Sequence, residues 1–489
     1  MSVPARVTKA KYTKSPIGLY VGNPLIEALP PILDPKKAFT ALSLALPEPT
    51  EAERQLDPHL RVHALLTLKM LVRPLNDYLD FEPKFSMMLR AGYVARRPSP
   101  EHWSRVYRIA THRHTPDGSF PSIATSAYGI LLYGLSGLGK STLVSRILAG
   151  YPDAIVHVNF DGPKSRWTQI VFIKVNAPSN GSVVALCRSI IVEIARIVGD
   201  PNLAVFRVRP SVDELLKDIA ALVLSYSVGA IVIDDLQHLN EANPGQKQTI
   251  LGFLTNLIEM VGVPVLGIGT YSIEPLFKQA FKTARKTAGL GSHEFYRPTS
   301  INDPQWKDLT EFVWKYQWLR KPQQLTKKIR AELFIQAVGI PDVLVKLFLL
   351  SQMVAILSGK EEITVEMIRD IADRELRLLQ PALNLLRKAV IGKLRTDEAL
   401  RFDDLFPKGE WFDKSLDEAM RRGLGAPSSN DKGKSGQAAD KKADASKPTS
   451  AAPSPVDVFD FRTLIGSNIS SHESLKAAGL VVTSWQDVA

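Results

Sequence analysis

The stretch Gly134-Leu-Ser-Gly137-Leu-Gly139-Lys140-Ser141 constrains this chain more than any other feature. It matches G-x-x-x-x-G-K-[ST], a loop whose backbone N–H groups wrap around phosphates. A short apolar run, Tyr128–Leu132, precedes it, and Ser141 to Leu148 reads as a helix stopped by Gly150. The loop therefore lies between a strand and the N-terminus of a helix, which adds partial positive charge. Lys140 is expected to neutralise the β- and γ-phosphates of ATP, and the Ser141 hydroxyl to hold Mg²⁺. Gly134, Leu135, Ser136, Gly137, Leu138, Gly139 and Thr142 complete the expected nucleotide contacts.

The residues that follow keep alternating between strand and helix patterns. Ala154–Asn159 and Gln169–Asn176 are apolar runs around the polar loop 161–168. Ser182 is placed to cap a helix carrying Leu186, Ile190, Ile194 and Ile197, closed by Gly199. Ala230–Ile233 and Val263–Ile268 are continuous apolar runs, as strands buried on both faces require. The alternation predicts an α/β domain with a parallel sheet.

Ile231-Val-Ile-Asp234-Asp235 ends one of these strands on two carboxylates. Asp234 is expected to bind Mg²⁺ through water. Asp235 stands where a Glu commonly orients the attacking water, one methylene shorter, which predicts slow hydrolysis. Gly269-Thr270 ends the next strand, where Thr270 is either a γ-phosphate sensor or a plain turn residue.

The flanks are read from composition. A chain of 489 residues predicts two to four domains. Segment 1–16 is polar and basic and reads as a flexible arm, and Leu60 to Leu79 as a buried helix kinked at Pro74. Between Arg90 and Arg113 six Arg face one acid, Glu101, with Tyr93, Trp103 and Tyr107 interleaved. From Pro304 to Met420 the pattern is helical, with Thr364 as a cap and Pro381 as a kink. Residues 426–455 contain no large apolar side chain and read as a disordered linker. Residues 456–489 regain apolar character through Phe459, Phe461, Leu464 and Ile465, either as a partner-binding segment or as a strap folded onto the lid.

The net charge of +11 permits a nucleic-acid partner. A single cysteine, Cys187, excludes internal disulfides and a Cys-based zinc site. His112 and His114 read as surface residues. The longest uncharged apolar run, Ile219 to Ile233, is too short for a bilayer, and the first residues lack a signal-peptide core. A cytoplasmic, DNA-associated protein without a membrane partner is expected.

Phosphate loop, acid pair, polar sensor and trailing helices together resemble the AAA+ ATPases. Within them, several stretches are similar to the TnsC ATPases of transposons, related to TniB. These include Thr168-Gln-Ile-Val-Phe-Ile-Lys-Val-Asn-Ala-Pro178, Ile268-Gly-Thr-Tyr271, Ala284-Arg-Lys-Thr-Ala-Gly-Leu-Gly291, Trp314-Lys-Tyr-Gln-Trp318 and Gly339-Ile-Pro-Asp342. The resemblance covers about residues 126–355. It implies an AAA+ P-loop NTPase core at 126–300, a helical lid at 301–425, and a mostly helical N-terminal extension at 1–125 that contacts partners or DNA. The linker 426–455 and segment 456–489 would follow.

The family implies an ATP-dependent regulator of transposition that assembles on double-stranded DNA as a ring or filament. It would bridge a TniQ-like target-selection protein and the transposase subunits. Arg285 best matches an arginine finger, with Arg297 second. Asp342 replaces the usual sensor-2 Arg, and Lys346 is its candidate substitute. DNA contact has two candidate places: the loop carrying Lys164 and Arg166, and the Arg90–Arg113 stretch. A solvated basic surface is the alternative for both. A replication initiator or helicase loader, and an ATP-binding scaffold with little hydrolysis, are the rival functions.

Overall fold

The computed structural model describes residues 4–99, 125–158, 166–206, 210–241, 244–259, 261–273 and 291–389. Its strands are β1 (Val7–Lys9), β2 (Gly129–Gly134), β3 (Ala154–Val158), β4 (Arg166–Ile170), β5 (Phe172–Asn176), β6 (Ala230–Asp234), β7 (Val265–Ile268) and β8 (Ser292–Phe295). Five of them form one all-parallel sheet in the order β5-β6-β7-β2-β8. β7 stands between β2 and β6, so the phosphate loop, Thr270 and the acid pair all leave the sheet at its carboxyl edge.

Alternation along each strand divides the apolar side chains between two layers. Ile130, Leu132, Val232 and Leu266 face a core shared with the N-terminal block and the helical lid. Leu131, Ile231, Ile233 and Val265 face a second core, covered by helices Val183–Val198, Val212–Ser225 and Pro244–Glu259. The expected cap is present: Ser182 accepts from Ala185 N, and Gly199 closes that helix in the left-handed conformation.

The run Gln169–Asn176 is not one strand. Its first two residues end β4, its last five form β5, and Val171 lies between them with its N–H on Asp153 O at 2.9 Å. β4 turns away to pair antiparallel with β3, which pairs parallel with β1 in a separate three-stranded sheet. Periodicity cannot show where a continuously apolar run changes sheets.

The basic arm is not loose over its described part. Val7 pairs with Ala154, and Lys9 with Val156. Arg6 holds Asp153 at 2.7 Å and donates to Leu148 O and Ala149 O at the end of the phosphate-loop helix, Lys140–Ala149. A cation there also complements the helix dipole. Tyr12 Oη lies 2.8 Å from His157 Nδ1, and His157 Nε2 lies 2.8 Å from Gln169 Oε1.

Pro74 separates two helices rather than kinking one. Helix Pro58–Ala64 runs into a 3-10 turn, Leu65–Met70, after which the chain extends and Val72 pairs with Leu44. The residue before a proline avoids the helical region, so the next helix, Asn76–Val94, begins only after it. Pro381 behaves similarly: helix Val365–Arg374, capped by Thr364, ends, and Pro381 enters the first turn of a new helix, Gln380–Ala389, where its missing N–H costs nothing.

The N-terminal block is bolted to the lid helices. Arg61 is fully buried and reaches Glu361 at 2.6 Å and Trp318 O at 2.8 Å. Arg73 pairs in bidentate fashion with Asp308. All described residues lie in one compact unit. No described helix is long and apolar enough to cross a membrane.

Candidate nucleotide-binding site

A cavity of about 570 Å³ opens at the carboxyl edge of the main sheet, between the phosphate loop, the acid pair, the lid and the N-terminal block. Ser136, Gly137, Gly139, Lys140, Ser141 and Thr142 line it. Gly137 and Gly139 hold φ values of +80° and +91°, which side chains rarely adopt. A Cβ on Gly139 would also meet the Tyr78 hydroxyl at 2.2 Å. Lys140 is buried, its ammonium donating to Gly134 O at 2.8 Å and Leu135 O at 2.7 Å. Leu135 and Leu138 serve differently from their neighbours, since both side chains are buried in the core and anchor the loop.

The two residues expected to hold the metal lie side by side. The Ser141 hydroxyl donates to Asp234 Oδ1 at 3.0 Å, across from one helix to a neighbouring strand. A hydroxyl beside a carboxylate is an all-oxygen donor set suited to Mg²⁺. Asp235 also lines the cavity, with φ +57°, its N–H on Asp234 Oδ1 and its carboxylate accepting from Gln237. Thr270 reaches the same space, with Oγ1 2.9 Å from Ser272 Oγ.

The lid closes the site from the other side. Asp342 N donates to Gly137 O at 3.2 Å, which fastens helix Pro341–Leu357 to the phosphate loop. Lys346 pairs with Asp342 at 2.5 Å, and both line the cavity.

Residues 124–277 match the AAA domain family. The chain carries an AAA+ P-loop domain. Solved structures similar to it include Cdc6p from Pyrobaculum aerophilum, at 13% identity over 67% of this chain and 88% of that one, with a TM-score of 0.35. A Walker-type ATPase of Pyrococcus abyssi matches at 14% identity over 68% and 91%, with a TM-score of 0.30. The ORC2 protein of Aeropyrum pernix matches at 12% identity over 68% and 86%, with a TM-score of 0.30. No curated protein matches the chain in sequence.

The AAA+ cavity contains residues that no motif announced. Leu68, Leu71 and Leu75 of the N-terminal block line it together with Leu309, Phe312 and Val345, which gives it apolar walls. The Leu-rich stretch signalled burial, but nothing in its spacing said that it faced a ligand cavity. Tyr78 donates to Gly139 O at 3.0 Å, and burial raises its hydroxyl pKa.

The other predicted sites separate. Lys164 and Arg285 lie outside the described residues, as do Trp103, Tyr107, His112, His114 and residues 426–489. Arg166 is exposed at the start of β4, opposite Val158. Trp167 beside it stacks on His157 at 4.5 Å, so this aromatic braces the hairpin. Arg297 donates to Val338 O at 2.9 Å within its own chain.

Of the three arginines in the described part of the Arg90–Arg113 stretch, Arg97 is exposed, whereas Arg90 and Arg96 are built into the interior. Arg90 is buried and donates to Ser86 Oγ and Pro30 O, both at 2.6 Å. Arg96 is buried over the Tyr93 ring and donates to Gly92 O at 2.7 Å and Val228 O at 2.6 Å. Burial lowers its pKa to about 10. Both guanidinium groups are thus paired with oxygens of their own chain, as buried charges require.

Proposed function

We propose that the chain is an ATP-hydrolysing regulator of DNA transposition of the TnsC type, which assembles on duplex DNA and links a target-selection protein to the transposase. The observation carrying the ATPase part is the convergence of Lys140, Ser141, Asp234, Asp235 and Thr270 on one cavity, from three parallel strands. The transposition part is supported by the TnsC-like stretches around Thr168–Pro178 and Trp314–Trp318.

In this reading Lys140 exchanges its two loop carbonyls for the β- and γ-phosphates, a stronger charge-assisted pairing. The N–H groups of the loop and the helix N-terminus bind the remaining phosphate oxygens. Ser141 and Asp234 would hold Mg²⁺, whose charge would offset that of the triphosphate. Asp235 accepts from the attacking water and orients it. Thr270 and Lys346 report the γ-phosphate to the sheet and to the lid, and Asp342 couples lid and loop. The exposed Arg166, with Lys164, supplies backbone contacts that carry no base sequence. Arg285 is the finger that a neighbouring subunit offers.

The test is ATP turnover and assembly, measured with and without duplex DNA. Wild-type protein should hydrolyse ATP slowly and form ATP-dependent assemblies on DNA of any sequence. Asp235→Asn should retain ATP and prolong the assemblies while turnover falls at least about tenfold. A sequence-specific footprint without ATP would contradict the transposition-regulator reading, and absent turnover would leave a nucleotide-binding scaffold.

A further inference from the structure

Asp234 is 5% exposed and has both carboxylate oxygens engaged. Oδ1 accepts from Ser141 Oγ and from Asp235 N, each at 3.0 Å. Oδ2 faces the ammonium of Lys174 at 3.2 Å. This lysine comes from the neighbouring strand, where Asn176 is the register partner of Asp234 and Lys174 that of Val232. Alternation puts Lys174 and Asp234 on one face of the sheet. The Lys174 ammonium also reaches Ser145 Oγ at 3.3 Å, and Ser145 lies one helical turn after Ser141 on the phosphate-loop helix.

Lys174 therefore spans the same helix–strand gap as the Ser141–Asp234 pair, one turn deeper. A nearly buried carboxylate needs a compensating charge, and Lys174 provides it from within the chain. A divalent cation held by Ser141 and Asp234 would draw on that same carboxylate. It would also repel an ammonium a few ångströms away. The lysine has somewhere to go, because its four-carbon stem is flexible and its side chain is 29% exposed.

Resting on the nucleotide-site reading above, we propose that Lys174 is the resident counter-ion of Asp234, released when nucleotide arrives with its divalent cation. It thereby sets how strongly nucleotide binding depends on that cation. Lys174 is a positioning residue: it acts through Asp234 and touches no reacting atom. Without it, Asp234 would present an uncompensated negative charge to a metal-free triphosphate and a stronger site to the cation.

The experiment measures binding of a fluorescent ATP analogue to the full chain, in EDTA and across a Mg²⁺ titration, and needs no turnover. Lys174→Met keeps the stem and removes the charge. Its ratio of Kd in EDTA to Kd in saturating Mg²⁺ should exceed the wild-type ratio by about fivefold or more. The Mg²⁺ needed for half-saturation should fall, while Lys174→Arg keeps the wild-type ratio. A ratio within twofold of wild type in folded Lys174→Met overturns the proposal. Lys174→Gln answers the same question if the Met variant does not fold. Failure of the underlying site looks different: wild-type protein would then not bind the analogue at all.

Discussion

The hydroxyl of Tyr78 donates to the carbonyl of Gly139 at 3.0 Å, tying the N-terminal block to the last glycine of the phosphate loop. The contact is close enough to forbid any side chain at that glycine. Tyr78→Phe should cost about 1 kcal/mol of stability, the worth of one hydrogen bond. Gly139→Ala should cost about 1–3 kcal/mol, from its left-handed φ and from the Cβ placed 2.2 Å from the hydroxyl. Combining the two removes the clash, so the double variant should be more stable than the summed losses predict. Urea unfolding of the four proteins measures this, and strictly additive losses would refute the contact.

Arg61 and Glu361 give the molecule an acid-sensitive bolt between the N-terminal block and the lid. Burial would raise the Glu361 carboxyl, but the bonds from Arg61 and from Arg320 N–H outweigh it and hold its pKa below the ordinary value. A depressed carboxyl contributes stability above its unfolded pKa of about 4.3, and loses it as pH falls through the lower folded value. Glu361→Ala strands a fully buried guanidinium and should cost about 3–5 kcal/mol near neutral pH. The penalty should shrink below about pH 4, which denaturant midpoints across pH will show. A loss independent of pH would contradict the assignment.

Arg96 should behave as a core residue. Arg96→Met removes the donor from Gly92 O and Val228 O and should lower stability by about 2–4 kcal/mol. DNA affinity per folded molecule should stay at the wild-type value in filter-binding assays at fixed salt. Lost DNA affinity with an unchanged melting temperature would return this arginine to the DNA surface.

These residues also show what the sequence could reveal. The grouping of Gly139, Lys140, Ser141 and Asp234 at one cavity was legible because the loop pattern and the acid-ended strand fix where those residue types lie. The parallel sheet was legible because strands buried on both faces leave continuous apolar runs. The Arg90–Arg113 stretch reads as basic surface, yet Arg96 is buried, because charge density along a chain does not tell a solvated guanidinium from one paired with a carbonyl more than 130 residues away. The split at Val171 and the pairing of β1 with β3 were hidden because both depend on distant strands. Lys174 carried no motif, since its meaning comes from strand register against Asp234.

The central claim is that this cavity binds nucleotide through Lys140. It is tested most directly by titrating wild-type protein and Lys140→Ala with a fluorescent ATP analogue in Mg²⁺, after circular dichroism shows that both are folded. The wild type should bind saturably, and the variant should lose at least about a hundredfold in affinity, since the triphosphate loses its principal point charge. Equal affinity of the two proteins would contradict the account.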